Sequence, residues 1–190
     1  MKVLINKRFY LLIILSIFIT FMLTIKTESK YQKVFFDHSI TSIDGTKINL
    51  GIYKDKVILL INVASNCGFT KQYEDLQNLW EKYKGKGLIV LGIPSNSFGQ
   101  EKANNLEIKN FCEVNFNISF PMTSIYDVKG DNAHDIYKWA KKNHGKSAIP
   151  KWNFYKILIN KEGKIEDTFS SLTKPTSNKI VSKIKKLLQI

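Results

Sequence analysis

Two cysteines, Cys67 and Cys112, and three histidines, His38, His134 and His144, are the side chains best suited to nucleophilic, redox or metal chemistry in this chain. Two cysteines are too few for a disulfide scaffold, and neither they nor the histidines have the spacing of a zinc site. Nothing in the sequence sets a histidine beside Cys67, so a Cys/His hydrolase has no local support. Cys67 follows Lys56-Val57-Ile58-Leu59-Leu60-Ile61-Asn62-Val63-Ala64. That is a near-continuous apolar run with β-branched residues, the pattern of a strand buried on both faces. Ser65-Asn66-Cys67-Gly68-Phe69-Thr70 comes next, and residues 71–83 then read as a helix. A cysteine between such a strand and a helix start lies near unpaired backbone N–H groups and the positive end of the helix dipole. Both favour the thiolate. Free cysteine is also among the most buried residue types. Position alone accounts for Cys67 equally well by packing and by chemistry.

The elements that must hold this cysteine are read along the chain. Lys2, Lys7 and Arg8 precede residues 9–25, which carry no charge. A basic start followed by an apolar run is the pattern of a signal peptide or an N-terminal membrane anchor. No small-residue cleavage site follows, so an uncleaved anchor is expected ahead of a cleaved signal, with the basic end in the cytoplasm and the domain outside. Residues 1–25 are therefore assigned to that segment, 26–33 to a polar linker and 34–190 to one folded domain. Export to a periplasm, or by the secretory route in a eukaryote, is the expected location; a misassigned start would leave the protein cytosolic.

Hydrophobic content of 44% with 12% aromatic residues excludes a disordered chain. The net charge of +13 comes from scattered lysines with no basic block interleaved with aromatics, so a solvated basic surface is expected, not a specific nucleic-acid interface.

Residues 34–40 and 47–50 read as strands around Asp44-Gly45, a hairpin signal. Tyr73, Leu76, Leu79, Trp80 and Tyr83 recur at helical spacing, a core stripe. Residues 88–93 form a second buried strand, followed by a polar loop, Pro94-Ser95-Asn96-Ser97-Phe98-Gly99-Gln100-Glu101. Asn104 with Glu107 predicts a capped helix over 106–115, which carries Cys112. Phe120-Pro121-Met122 starts a short extended piece, and a helix follows over 133–142. Strands over 155–160 and 164–169 meet at Glu162-Gly163. A last amphipathic helix spans 176–188, with Ile180, Ile184 and Leu187 inward. This order is that of an α/β, thioredoxin-like fold, with a central mixed sheet flanked by helices and an N-terminal β-hairpin.

Three separated motifs carry a resemblance. Asn62-Val63-Ala64-Ser65-Asn66-Cys67-Gly68-Phe69-Thr70 resembles the active-cysteine signature of the glutathione peroxidase family, Phe98-Gly99-Gln100-Glu101 its glutamine motif, and Lys151-Trp152-Asn153-Phe154 its tryptophan-asparagine motif. The resemblance runs from about Lys33 to the C-terminus and implies a catalytic set of Cys67, Gln100, Trp152 and Asn153. It implies a peroxidatic thiol that reduces hydrogen peroxide and organic or lipid hydroperoxides, with no cofactor and no metal. The segment Phe111-Cys112-Glu113-Val114-Asn115-Phe116 resembles the one that bears the resolving cysteine in thioredoxin-dependent members. Cys112 would then close a disulfide with Cys67, to be reduced by a thioredoxin-type protein or by glutathione. Because a disulfide needs Cα atoms within roughly 7 Å, the Cys112 helix is expected to unwind locally on oxidation.

The chain departs from the family pattern twice. The glutamine loop usually reads Asn-Gln-Phe-Gly-Gly-Gln-Glu; here it is one glycine shorter and has Ser97 in second place. The short connection from Phe120 to Trp152 leaves out the loop of tetrameric members, which points to a monomer with an open site and favours a protein reductant over glutathione. Two other readings remain. An anchored thioredoxin-like disulfide oxidoreductase would want Cys-x-x-Cys, and Thr70 stands where its second cysteine belongs. A basic, membrane-tethered binding module would leave the glutamine, tryptophan and asparagine unexplained.

Overall fold

Seven consecutive buried residues make β3 (Val57–Val63), and with no polar face to offer it can only lie inside a sheet. In the computed structural model, which describes residues 31–190, it does. β1 (Ser39–Thr41) and β2 (Lys47–Asn49) form an antiparallel hairpin whose turn uses Gly45 at φ 84°. β4 (Leu88–Pro94) pairs with β3 in parallel, Val57 opposite Leu88 and Val63 opposite Pro94. β5 (Lys156–Ile159) pairs with the other edge of β3 antiparallel, and β6 (Ile165–Phe169) completes the sheet in the order β4-β3-β5-β6. The helices among the described residues are α1 (Gln72–Tyr83), α2 (Asn105–Phe116), α3 (Asp135–His144) and α4 (Asn178–Leu188). Mixed sheet, flanking helices and N-terminal hairpin match the expected thioredoxin-like fold.

The pairing directions put three chain segments at one end of the sheet. β3 and β4 are parallel, so both finish there; β5 is antiparallel to β3, so it starts there, with Lys156 opposite Ile61. The cysteine turn, the glutamine loop and the Trp152-Asn153 segment are therefore neighbours by topology.

Several expected boundaries move. Residues 34–40 are not one strand: Phe35–Asp37 is a 3-10 turn, because the Asp37 carboxylate accepts from the Val34 N–H at 2.9 Å and both phenylalanines bury. α3 starts two residues late, at Asp135, because His134 is its cap: Nδ1 accepts from the Ile136 N–H at 3.3 Å. In α4 the buried side chains are Ile180, Ile184 and Leu188, whereas Leu187 is half-buried; the helix starts at Asn178, not Thr176. Residues 120–123 add bridges to Gly92 and Ser42 but build no full strand. The expected cap of α2 forms: Asn104 Oδ1 accepts from Glu107 N–H at 3.0 Å, and Asn104 Nδ2 donates to Glu107 Oε1 at 2.7 Å.

The residues assigned to a signal peptide or anchor, 1–25, and most of the linker at 26–33 lie outside the described residues. Among the described residues no helix is long and apolar enough to cross a membrane.

Candidate active site

Cys67 lies in the turns between β3 and α1, 7% exposed. Thr70 folds these turns. Its hydroxyl donates to the Cys67 carbonyl at 2.6 Å and accepts from the Cys67 N–H at 3.1 Å. Where a disulfide oxidoreductase would present a second thiol, this chain has a turn-building hydroxyl. The Phe69 N–H donates toward Cys67 Sγ at 3.5 Å. That is the backbone donor expected of a cysteine ahead of a helix.

The glutamine loop is tied to the cysteine turn by its backbone and by Glu101. Asn66 N–H donates to the Gln100 carbonyl at 2.9 Å. Glu101 Oε1 accepts from Ser65 N–H at 2.9 Å and from Lys102 N–H at 2.8 Å. Burial pushes the Glu101 carboxyl up, and these donors pull it part of the way back. The shortened loop still delivers its glutamine: Asn153 Nδ2 donates to Gln100 Oε1 at 2.9 Å. Gln100 is thus engaged through its carbonyl, which leaves its two amide N–H donors for another acceptor.

Asn153 is fully buried, and its Oδ1 has no hydrogen-bond partner among the described residues. Trp152 is 41% exposed, with its ring 5.3 Å from that of Phe98 in the glutamine loop. The segment owes its shape to Asn62, the polar member of β3. Asn62 Nδ2 donates to the Trp152 carbonyl at 3.1 Å, its Oδ1 accepts from Tyr155 N–H at 3.1 Å, and its carbonyl accepts from Phe154 N–H at 2.6 Å. Phe154 sits at φ 61°, a left-handed conformation that a bulky residue adopts only when its surroundings hold it there. The three bonds from Asn62 and a fully buried Phe154 ring do so.

Gln100, Trp152 and Asn153 are therefore brought together beside the Cys67 turn. Cys112, in α2, is 2% exposed, and both cysteines are free thiols. Burial pushes the Cys112 thiol up to about 11; the Tyr73 hydroxyl lowers it by less, and the carboxylates of Glu101 and Glu113 raise it further. Sequence reasoning missed Asn62, Glu101 and Lys156 as supports. Their signal was a polar or charged residue inside an apolar strand, or directly after the glutamine. Lys156 is wholly buried in β5, where Nζ donates to Gln72 Oε1 at 2.5 Å and to the Thr173 carbonyl at 2.7 Å. Burial lowers its pKa to about 7. No cluster of His, Cys, Asp or Glu among the described residues could hold a metal ion.

The family model for glutathione peroxidase matches residues 35–141. The chain belongs to the glutathione peroxidase family. A glutathione peroxidase-like peroxiredoxin of Saccharomyces cerevisiae is 42% identical over 148 residues, 75% of this chain and 91% of the yeast protein. A hydroperoxy fatty acid reductase of Synechocystis is 39% identical over 162 residues, 80% of this chain and 95% of that protein. The crystal structure of Trgpx in its apo form matches with a TM-score of 0.68 at 34% identity, covering 83% of this chain and 97% of that one. As a glutathione peroxidase family member, the protein is a peroxidase of the thiol type. The family match reaches across the cysteine turn, the glutamine loop and α2, and the longer alignments extend it.

Proposed function

We propose that this thiol peroxidase reduces hydrogen peroxide and organic or lipid hydroperoxides at Cys67, with Cys112 as the resolving cysteine and a thioredoxin-type dithiol preferred to glutathione as reductant. The observation that carries this reading is the hydrogen-bonded Gln100–Asn153 pair at the end of the sheet where the chain turns through Cys67. Thiolate attack on a hydroperoxide forms an S–O bond and breaks the O–O bond. The sulfur keeps one peroxide oxygen and is oxidised to sulfenic acid, and the other oxygen leaves as water or an alcohol once it takes up a proton. The Gln100 amide and the Trp152 indole N–H are donors suited to that leaving oxygen. The unpartnered Asn153 Oδ1 is an acceptor suited to a peroxide O–H.

The recycling half rests on Cys112. Sulfenic acid at Cys67 and the Cys112 thiol condense to a disulfide and water, and a dithiol then reduces the disulfide by exchange. The packing of α2 supports its local opening. It fully buries only Ile108 and Cys112, Phe111 and Phe116 are half-buried against the core, and Leu106 and Val114 are 68% and 81% exposed. Segments with few buried apolar contacts unfold locally at low cost. Relatives named as glutathione peroxidase-like peroxiredoxins support a protein dithiol as reductant. The hydroperoxy fatty acid reductase supports lipid hydroperoxides as substrates. The basic start and the uncharged run at residues 9–25 support export or membrane anchoring of the domain, which we take to act as a monomer. Cell fractionation and the N-terminal residue of the mature protein test that part.

Coupled peroxide consumption tests the catalytic reading. With thioredoxin, thioredoxin reductase and NADPH, the wild-type chain turns over hydrogen peroxide and a fatty acid hydroperoxide. Cys67→Ser is inactive, and Cys112→Ser performs one turnover and stops with that reductant. Full activity in Cys67→Ser would overturn the assignment.

A further inference from the structure

The hydroxyl of Tyr73 is a buried polar group that the peroxide step leaves unused. Tyr73 lies in the first turn of α1, is fully buried, and packs its ring edge-on to Phe154 and tilted to Phe116, each with centroids 5.3 Å apart. Phe154 follows Asn153, and Phe116 ends the helix that carries Cys112. The ring is thus wedged between the active-site segment and α2, and its hydroxyl cannot swing to solvent. That hydroxyl completes no hydrogen bond of full geometry among the described residues. The Cys112 thiol lies within its hydrogen-bonding reach, and Cys112, Glu101 and Cys67 also bear on it electrically. A buried O–H without a partner is costly, and such a group is commonly explained by a state in which it does have one.

We propose that Tyr73 is a positioning residue for the resolving step: its O–H donates to the Cys112 sulfur as that thiol gives up its proton, making Cys112 the attacking nucleophile toward oxidised Cys67. This rests on the two-cysteine cycle proposed above. In the step, the Cys112 S–H bond breaks and an S–S bond forms to Cys67. The Cys67 S–O bond breaks, and the hydroxide that leaves takes up the Cys112 proton as water. Cys112 is oxidised and the Cys67 sulfenic acid is reduced, so no further oxidant is needed. Tyr73 keeps its own proton throughout, in keeping with a phenol that burial pushes well above its ordinary value. The other charged groups at Cys112 do not supply a donor in its place. Glu101 and Glu113 oppose a thiolate there, and Lys109 and Asp44, which line the cavity beside Cys112, are bonded to each other at 2.7 Å.

The test is Tyr73→Phe, which keeps the ring and removes only the unpartnered hydroxyl. In a Cys67→Ser background Cys112 is the one thiol, and its titration is followed by the 13Cβ shift of labelled cysteine. The expected result is a Cys112 titration displaced upward by about one pH unit. In the two-cysteine protein, disulfide formation after one equivalent of peroxide then slows by roughly tenfold more than sulfenic acid formation does. The thermal midpoint reports whether the variant is folded, and Tyr73→Leu, which likewise has no donor, should repeat the displacement. An unshifted Cys112 titration in folded Tyr73→Phe overturns the proposal, even if the disulfide forms slowly, because Tyr73 would then act by packing alone. Failure of the parent protein to form the Cys67–Cys112 disulfide at all would overturn the two-cysteine cycle as well, and so is distinguishable from failure of the Tyr73 role.

Discussion

Asn153 Nδ2 donates to Gln100 Oε1 at 2.9 Å, joining side chains 53 residues apart in the chain. The bond couples the two amides: Gln100 is held through its oxygen, so its nitrogen is left to donate to a substrate. One amide orients another, and neither could be placed by its own backbone.

Removing the orienting partner should therefore hurt the glutamine more than it hurts the fold. Asn153→Ala and Gln100→Ala are each expected to slow sulfenic acid formation about 10²-fold, the effect of losing one preorganised donor. The double variant should be little worse than either single one, because the two act as a unit. Stopped-flow measurement of the reaction with hydrogen peroxide, followed by intrinsic fluorescence, reads the rate. Multiplying losses in the double variant would show that the pair acts independently.

Asn62→Leu fills the same buried place with an apolar side chain and strands two polar groups, the Trp152 carbonyl and the Tyr155 N–H. Each unpaired buried group costs about 1–3 kcal/mol, so a loss of about 2–6 kcal/mol in unfolding free energy is expected in urea titration. The left-handed Phe154 loses part of its support at the same time. Peroxide reactivity should fall with it, although Asn62 is not one of the proposed catalytic residues.

Lys156 gives the fold a pH dependence with an unusual sign. Burial lowers its pKa from 10.5 to about 7, so between those values the unfolded chain binds more protons at this site than the native chain does. Stability then rises with pH across that window, by at most about 1.4 kcal/mol per pH unit. Below about pH 7 the site is charged in both states and contributes no slope. Urea unfolding at a series of pH values from 6 to 9 should show this rise in the wild-type chain. It should be missing in Lys156→Met, which also loses the bonds to Gln72 and the Thr173 carbonyl.

Local opening of α2 can be tuned without touching either cysteine. Ile108 is the other buried side chain of that helix, and Ile108→Ala should cost about 2–4 kcal/mol. If opening of α2 limits disulfide closure, the variant should lose hydrogen-exchange protection across Asn105–Phe116 and close the Cys67–Cys112 disulfide faster. Slower closure would mean instead that the intact helix is what presents Cys112.

Some of this was legible without coordinates because the signal is local. The apolar run of β3 can only be an inner strand, Asp44-Gly45 makes a hairpin turn, and Asn104 with Glu107 starts a helix. The cysteine, glutamine and tryptophan-asparagine motifs pointed to the family that the comparisons bear out. Other features had no local signature. Asn62 reads in sequence as a flaw in an apolar strand; it is a strut, because its partners lie 90 and 93 residues away. Phe154 gives no hint of a positive φ, since that conformation is imposed by its neighbours. Tyr73 belongs to an ordinary core stripe, and only the position of α2 sets its hydroxyl toward Cys112.

The sequence by itself thus determined the class of fold, the family and the candidate residues, since these follow from periodicity, turn chemistry and motif spacing along the chain. Only the tertiary structure decided which amide orients which, what holds the Trp152-Asn153 segment, and what surrounds Cys112. Those depend on β5 running antiparallel to β3 while β4 runs parallel to it. Strand directions of that kind are set by packing over the whole sheet, and no single stretch of chain encodes them.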